Sequence, residues 1–324
     1  MKVKGLFKAV SVFLTGLMIV TTMPAQAFAA DNKVNENAIK GDADGDGKVT
    51  IADATAIQRY LASYDMPESF DLTACDCNGN GDVSIDDATE IQRYLADLPS
   101  HLGDKSYNDQ LYDYAVRDAI KADENEIMPL VNITQDDDRV IWNGDKVLVA
   151  FMHKYPDSYK PGSHITLQWG NVWCVSAGEM TDWVKNNAEG VTDWTERLHQ
   201  VLGMPLSKEY TSVTALWVDA GLLYRPANVS DPTAEMKATY QPTGDEKFDK
   251  MFKEWYDSNV KWSYYDSAFP WTRLGYTYDW ADNGTEYGMS EFIVFSGAEA
   301  DVEYTYSVND FIAFVTEVSI RQIA

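Results

Sequence analysis

The chain has 324 residues and a formal net charge of −25, from 51 acidic and 26 basic side chains, with 45% hydrophobic residues. That length accommodates one ordinary core plus a smaller module, and an acid excess carried by both stretches after the first thirty residues argues against nucleic acid and anionic lipid as partners. Three cysteines cannot all pair internally, so no disulfide framework organises the fold. Cys75 and Cys77 flank Asp76 too closely for an unstrained bond, and Cys174 sits in the apolar run NVWCVSA, where a cysteine acts as a small hydrophobe.

Residues 1–30 begin with Lys2, Lys4 and Lys8, continue as an apolar stretch and end on Ala25, Ala27 and Ala29. This is the layout of a secretory signal peptide, and the mature chain is expected to start near Ala30 or Asp31 and to be extracellular. Beyond it no apolar run approaches the twenty or so residues of a membrane helix, so no membrane span is expected.

Residues 38–100 repeat themselves at an offset of 34 residues: GDGKVTIADATAIQRYLA, from Gly45, returns as GNGDVSIDDATEIQRYLA, from Gly79. In each copy oxygen-bearing side chains occupy loop positions one, three, five and twelve: Asp42, Asp44, Asp46 and Asp53 in the first, Asp76, Asn78, Asn80 and Asp87 in the second. Gly47 or Gly81 stands at position six, and Lys48 or Asp82 at seven need offer only a backbone carbonyl. This is the ligand spacing of the twelve-residue EF-hand calcium loop, in which a hard cation gathers six to eight oxygens and the chain turns sharply at the glycine. Two loops predict two Ca²⁺ ions. Position twelve is Asp instead of Glu, and NENAIKG is too short and polar for an entering helix, so only an exit helix follows each loop. Each exit helix is expected to line up one apolar stripe, Ala54, Ile57 and Leu61 or Ala88, Ile91 and Leu95, and the two stripes to pack on each other.

A tandem pair of calcium loops, each followed by one helix and repeating IQRYLA, resembles the type I dockerin, the module by which secreted enzymes of fibre-degrading bacteria attach to the cohesin domains of a cellulosome scaffoldin. The resemblance implies an all-α calcium module and a cohesin partner. It also implies cohesin contacts at loop positions ten and eleven and at a polar pair on the helix: Ile51, Ala52, Gln58 and Arg59 in the first copy, Ile85, Asp86, Gln92 and Arg93 in the second. The familiar Ser and Thr at positions ten and eleven are missing here, which implies a different cohesin specificity. Ile51 and Ile85 could equally be core. Because both copies match, the module is expected to offer the cohesin two orientations related by its internal pseudo-symmetry.

Residues 106–324 are read as a separate α+β domain around a largely antiparallel sheet. Helices are predicted at Leu111–Ala122, Trp183–Leu202 and Glu246–Ser258. Strands are predicted around Lys146–His153, His164–Ser176, Val213–Leu223, Arg273–Trp280, Glu291–Phe295 and Val302–Tyr306. Its most distinctive run, FPWTRLGYTYDWADNGTEYGMSEFIVF, resembles a segment of a bacterial family to which no activity is attached. Three readings compete. A hydrolase of O-glycosyl bonds in plant cell-wall polysaccharide needs paired carboxylates, for which Asp279, Glu286 and Glu291 are the candidates, with Trp271, Trp280, Tyr276 and Tyr278 as sugar platforms. Arg273 either neutralises Asp279 or holds an anionic substrate group. A cysteine hydrolase would use Cys174 with His164 or His199. A non-catalytic carbohydrate-binding, adhesion or inhibitor domain would use Trp169, Trp173 and Trp217 as surface platforms, although alternation in WVDAGLLY places Trp217 in the core.

Overall fold

The computed structural model describes residues 38–317, so the expected signal segment lies outside the described residues. The repeat folds into two helices, α1 (Ile51–Leu61) and α3 (Ile85–Leu95), with a single turn, α2 (Leu72–Cys75), between them. Each long helix starts at a capping box. Thr50 or Ser84 accepts from the backbone two residues on, and Asp53 or Asp87 reaches back to the cap's own N–H, satisfying donors the first helical turn cannot. Ala54, Ala56 and Ile57 meet Ala88 and Ile91 in a small core with Ala43, Cys75, Cys77 and Leu102. Leu61 and Leu95 do not join it and are 40% and 45% exposed, because each is the last residue of its helix, beyond the reach of its partner.

The rest of the chain builds a nine-stranded sheet in the order β3-β9-β5-β2-β4-β8-β6, with β1 (Trp142–Asn143) on β2 and β7 (Tyr276–Tyr278) on β8. The other strands are β2 (Lys146–His153), β3 (His164–Thr166), β4 (Val172–Ser176), β5 (Ser212–Asp219), β6 (Leu223–Tyr224), β8 (Tyr287–Val294) and β9 (Glu299–Ser307). All pairings between these strands are antiparallel, giving the expected α+β domain. Alternation along β2 and β5 feeds two cores. Leu148, Ala150, Met152, Val213, Ala215 and Trp217 face α5 (Ala177–Asn186), α6 (Trp194–Val201) and α8 (Val308–Glu317). Val147, Val149, Phe151, Leu216 and Val218 face the loops that bring Val131, Val140 and Leu167. A third, aromatic core joins α4 (Tyr107–Ala119) and α7 (Glu246–Lys261) to Trp271, Tyr278 and Trp280.

Three sequence expectations change. The strand predicted over His164–Ser176 is two strands, β3 at one edge of the sheet and β4 inside it, because Gln168–Asn171 carries the chain across. The helix predicted over Trp183–Leu202 is broken at Asn187–Asp193, where Gly190 takes φ of 78° and Asp193 caps the second helix through Thr195 and Glu196 N–H. Helix α8 was not anticipated. The sheet's edges are short: β6 has two residues and β3 three. The latter is flanked by the charges of His164, Glu299, Asp301 and Lys146.

Asp279 lies at the seam between α6 and the aromatic core, 2% exposed, and takes a bidentate bond from Arg197 at 2.9 and 2.5 Å while that guanidinium stacks on Trp183 at 4.7 Å. Removing one member leaves the other charge buried and alone. Arg197→Ala is therefore expected to cost about 3–5 kcal/mol, read as a lowered midpoint in urea denaturation.

Candidate functional site

The first site is the pair of acidic loops. In the first, Asp42 accepts the N–H of Asp46 at 3.0 Å on one oxygen and of Gly47 at 2.9 Å on the other; Asp44 accepts from Asp46 and Asp46 from Lys48. The second loop repeats this pattern with Asp76 accepting from Asn80 and Gly81, Asn78 from Asn80, and Asn80 from Asp82. Gly47 and Gly81, with φ of 86° and 90°, make the turn that aims these N–H groups inward. Each backbone bond fixes a side chain while leaving lone pairs free. Carboxylate oxygens of Asp42, Asp44 and Asp46 lie within 4.8 Å of one another. Partial desolvation and the charges of Asp53, Asp46 and Asp42 push the Asp44 carboxyl above its ordinary value. Converging hard oxygens with mutual repulsion are the donor chemistry that suits a calcium ion.

Asp53 and Asp87, at position twelve, are fully buried and brace the loops. Asp53 accepts from Asp44 N at 3.0 Å and Thr50 N at 2.7 Å, and Asp87 from Cys77 N at 2.8 Å and Ser84 N at 2.7 Å. One carboxylate thus closes the loop and starts the helix. Residues 40–96 match the family model of the dockerin type I domain. This segment is a dockerin. Dockerin domains bind calcium, and their partner is a cohesin, which makes the chain a cellulosome-type component. No curated protein and no solved structure matches the chain.

The dockerin's predicted contact residues fall on the surface. Ile51 and Ile85 are 60% and 53% exposed, which removes them from the core, and Ala52, Gln58, Arg59, Asp86 and Gln92 are exposed as well. Arg93 is the exception, mostly covered by the residues that follow the module. Cys75 and Cys77 are free buried thiols packed in the dockerin core, with burial pushing both up to about 12, so neither is reactive at neutral pH.

The second site is a cleft of about 720 Å³ in the larger domain. Strands β2 and β4 pair only at Val149–Ser176 and Ala150–Val175 and then part, and the cleft opens between Phe151–His153 and Val172–Cys174. Its walls include Tyr159, Trp169, Trp173, Tyr210, Trp262, Phe269, Trp271, Tyr276 and Tyr278. Trp262 stacks on Phe269 at 4.9 Å, Trp173 meets Trp271 edge-on at 6.1 Å, and Trp169 stands at the rim 92% exposed. Trp217, by contrast, is core.

Of the three candidate acids, Glu291 alone reaches this cleft. It opens partly onto the cavity, and burial of its carboxyl pushes the pKa up to about 8, leaving it protonated at neutral pH. Asp279 is bound by Arg197, as above, and Glu286 lies with Asp118, Glu126, Tyr276 and Tyr278 in a separate, much smaller pocket. Adjacency in sequence did not bring the three together: Asp279 and Glu286 sit at the two ends of the loop between β7 and β8, and Glu291 lies within β8. Arg273 does not neutralise Asp279 either: it donates to the carbonyl of Ile120 and lies 5.3 Å over the Tyr264 ring.

Among the described residues lining the cleft, Glu291 is the only acid and Lys208 the only lysine or arginine. In a chain of charge −25 this wall is almost uncharged. His153 is held neutral by burial, which lowers it to about 4, with one ring nitrogen on Thr214 and the other accepting from Tyr155 N. Cys174 also lines the cleft, but burial and nearby Glu291 raise its thiol. Of the two proposed bases, His199 lies outside the cleft on Thr195 and Tyr210, and His164 lines it but is held by Asp301 and Glu299. A thiolate has no generator there. Sequence reading missed Lys208, Tyr159, Tyr210 and His153 as wall residues, since no local pattern connects segments that meet only through the parting of two strands.

Proposed function

We propose that this chain is a secreted cellulosome component that docks through its calcium-loaded dockerin and acts, through the aromatic cleft, in the breakdown of plant cell-wall polysaccharide. Asp42, Asp44, Asp46, Asp53 and the Lys48 carbonyl would hold one ion, and Asp76, Asn78, Asn80, Asp87 and the Asp82 carbonyl the other. The metal supplies the charge cancellation that locks each loop. The exposed faces around Ile51 and Arg59, and around Ile85 and Gln92, are what a cohesin would meet.

For the larger domain, the carrying observation is one protonated carboxyl, Glu291, set among aromatic rings in a nearly uncharged wall. Aromatic faces stack on the C–H surfaces of sugar rings, and the lack of paired cations favours a neutral chain over a uronate polymer. Glu291 is suited to donate a proton to the leaving glycosidic oxygen. A second reading, a non-catalytic polysaccharide-binding domain, is favoured by one fact: two-carboxylate hydrolysis needs a second acid in the cleft, and Glu291 stands alone among the described lining residues.

Incubation with insoluble cellulose, xylan and pectate separates the readings. Release of reducing sugar that disappears in Glu291→Gln supports hydrolysis, whereas retention without release supports binding alone. Neither release nor retention on any of the three would sink the glycan reading. Trp169→Ala is expected to weaken retention about tenfold while leaving the melting temperature unchanged, since that ring is 92% exposed and packs on nothing it would destabilise.

A further inference from the structure

The repeat writes the same contact face twice, and the fold treats the two faces differently. At the first copy Ile51, Ala52, Gln58 and Arg59 all face solvent, and the Arg59 guanidinium rests 5.6 Å from the ring of its neighbour Tyr64. At the second, Arg93 is 19% exposed. Its Nε donates to the Pro99 carbonyl at 2.6 Å and its Nη2 to the Tyr107 hydroxyl at 3.0 Å, and its Nη1 lies 3.6 Å from Asp282. Tyr107 in turn donates to Asp282, so the arginine, the phenol and the carboxylate close a ring between α3, α4 and the loop after β7.

Neighbouring contacts extend this joint. Arg117 of α4 binds Asp97 at 2.7 Å, Gln110 bonds the backbone of Ser100 in both directions, and His101 stacks on Tyr107 at 4.0 Å while its backbone donates to Glu90. The second copy's helix is therefore braced along its C-terminal half by the larger domain. A partner recruiting Arg93 would have to strip it of charge-assisted bonds, leaving Asp282 with one counter-charge fewer. Recruiting Arg59 breaks no comparable set.

We propose that the chain docks in one orientation, with the first copy on the cohesin and the second copy serving as the hinge plate that fixes the larger domain. This inference rests on the docking reading above and goes beyond it by removing one of the two orientations that the repeat offers. In a module with two equal faces, losing one lowers affinity about twofold, because the other mode carries the binding. Here the first copy carries it alone.

The test uses the full chain in calcium against a panel of recombinant scaffoldin cohesin domains, keeping the domain that the unaltered chain binds most tightly by calorimetry. Arg59→Ala is expected to weaken binding about tenfold or more, and Arg93→Ala to change it by about twofold at most. Adding Tyr107→Phe and Asp282→Asn to Arg59→Ala removes the side-chain partners of Arg93, leaving only its bond to the Pro99 carbonyl, and should recover part of the lost affinity. Equal losses from Arg59→Ala and Arg93→Ala, a loss of only about twofold from Arg59→Ala, or no recovery in the triple variant would each overturn the single orientation. Failure of the unaltered chain to bind any cohesin defeats the docking reading itself, and that result is distinct because no variant then differs from another.

Discussion

Calcium removal should unfold the dockerin and leave the larger domain standing. The module's core is a separate, small cluster of Ala, Cys, Ile and Leu side chains, and a core of that size gives only a few kcal/mol against chain entropy. Its first loop also brings the carboxylates of Asp42, Asp44 and Asp46 within 4.8 Å of one another. With a chelator present, circular dichroism should lose the helical signal of α1 and α3, a low-temperature transition should separate from the main one, and cohesin binding should vanish. Asp53→Ala should act in the same direction even in excess calcium. It removes a proposed ligand, the N3 half of the capping box and a buried acceptor of two backbone donors at 3.0 and 2.7 Å, at an expected cost of about 2–4 kcal/mol. A melting curve indifferent to both treatments would refute the metal-clamped module.

Glu291→Gln should have the largest effect on any catalytic turnover, lowering it about 10²- to 10⁴-fold, since the amide keeps the shape of the protonated acid but cannot donate its proton. The same carboxyl predicts the pH profile: activity persists through neutrality and falls as pH passes about 8. The stability effect has a definite sign. A carboxyl raised by burial binds its proton more tightly in the folded chain than in the unfolded one. Stability is therefore unaffected by this group below the ordinary glutamate range, declines as pH rises from there to about 8, and levels off above it. Glu291→Gln should flatten that decline in denaturant titrations at pH 5, 7 and 9; an unchanged slope would show that the carboxyl is not the buried acid described.

The dockerin was legible because its information is local. Loop positions one to twelve follow one another in sequence, and the glycine, the capping box and the helix stripe are read within twenty residues of one another. The overreach there was Leu61 and Leu95, which keep the helical spacing but fall past the crossing of the two helices. The larger domain was legible in class and in its long strands β2 and β5, where alternation of two apolar faces is strong. Its site was not. Arg197 and Asp279 are 82 residues apart in sequence, and the cleft is assembled from segments between Ala150 and Glu291 that meet only where β2 leaves β4. Three acids close in sequence suggested a catalytic pair, and strand geometry sent them to three environments.

The brevity of the sheet's outer strands matters most where this protein is expected to work. On a multi-cohesin scaffold many cargo domains crowd together at high local concentration, the condition under which open strand edges zip into aggregates. A two-residue margin on one side and an ionised fringe around His164 on the other offer neighbouring cargo almost nothing to extend, so close quarters need not become cross-strand polymerisation.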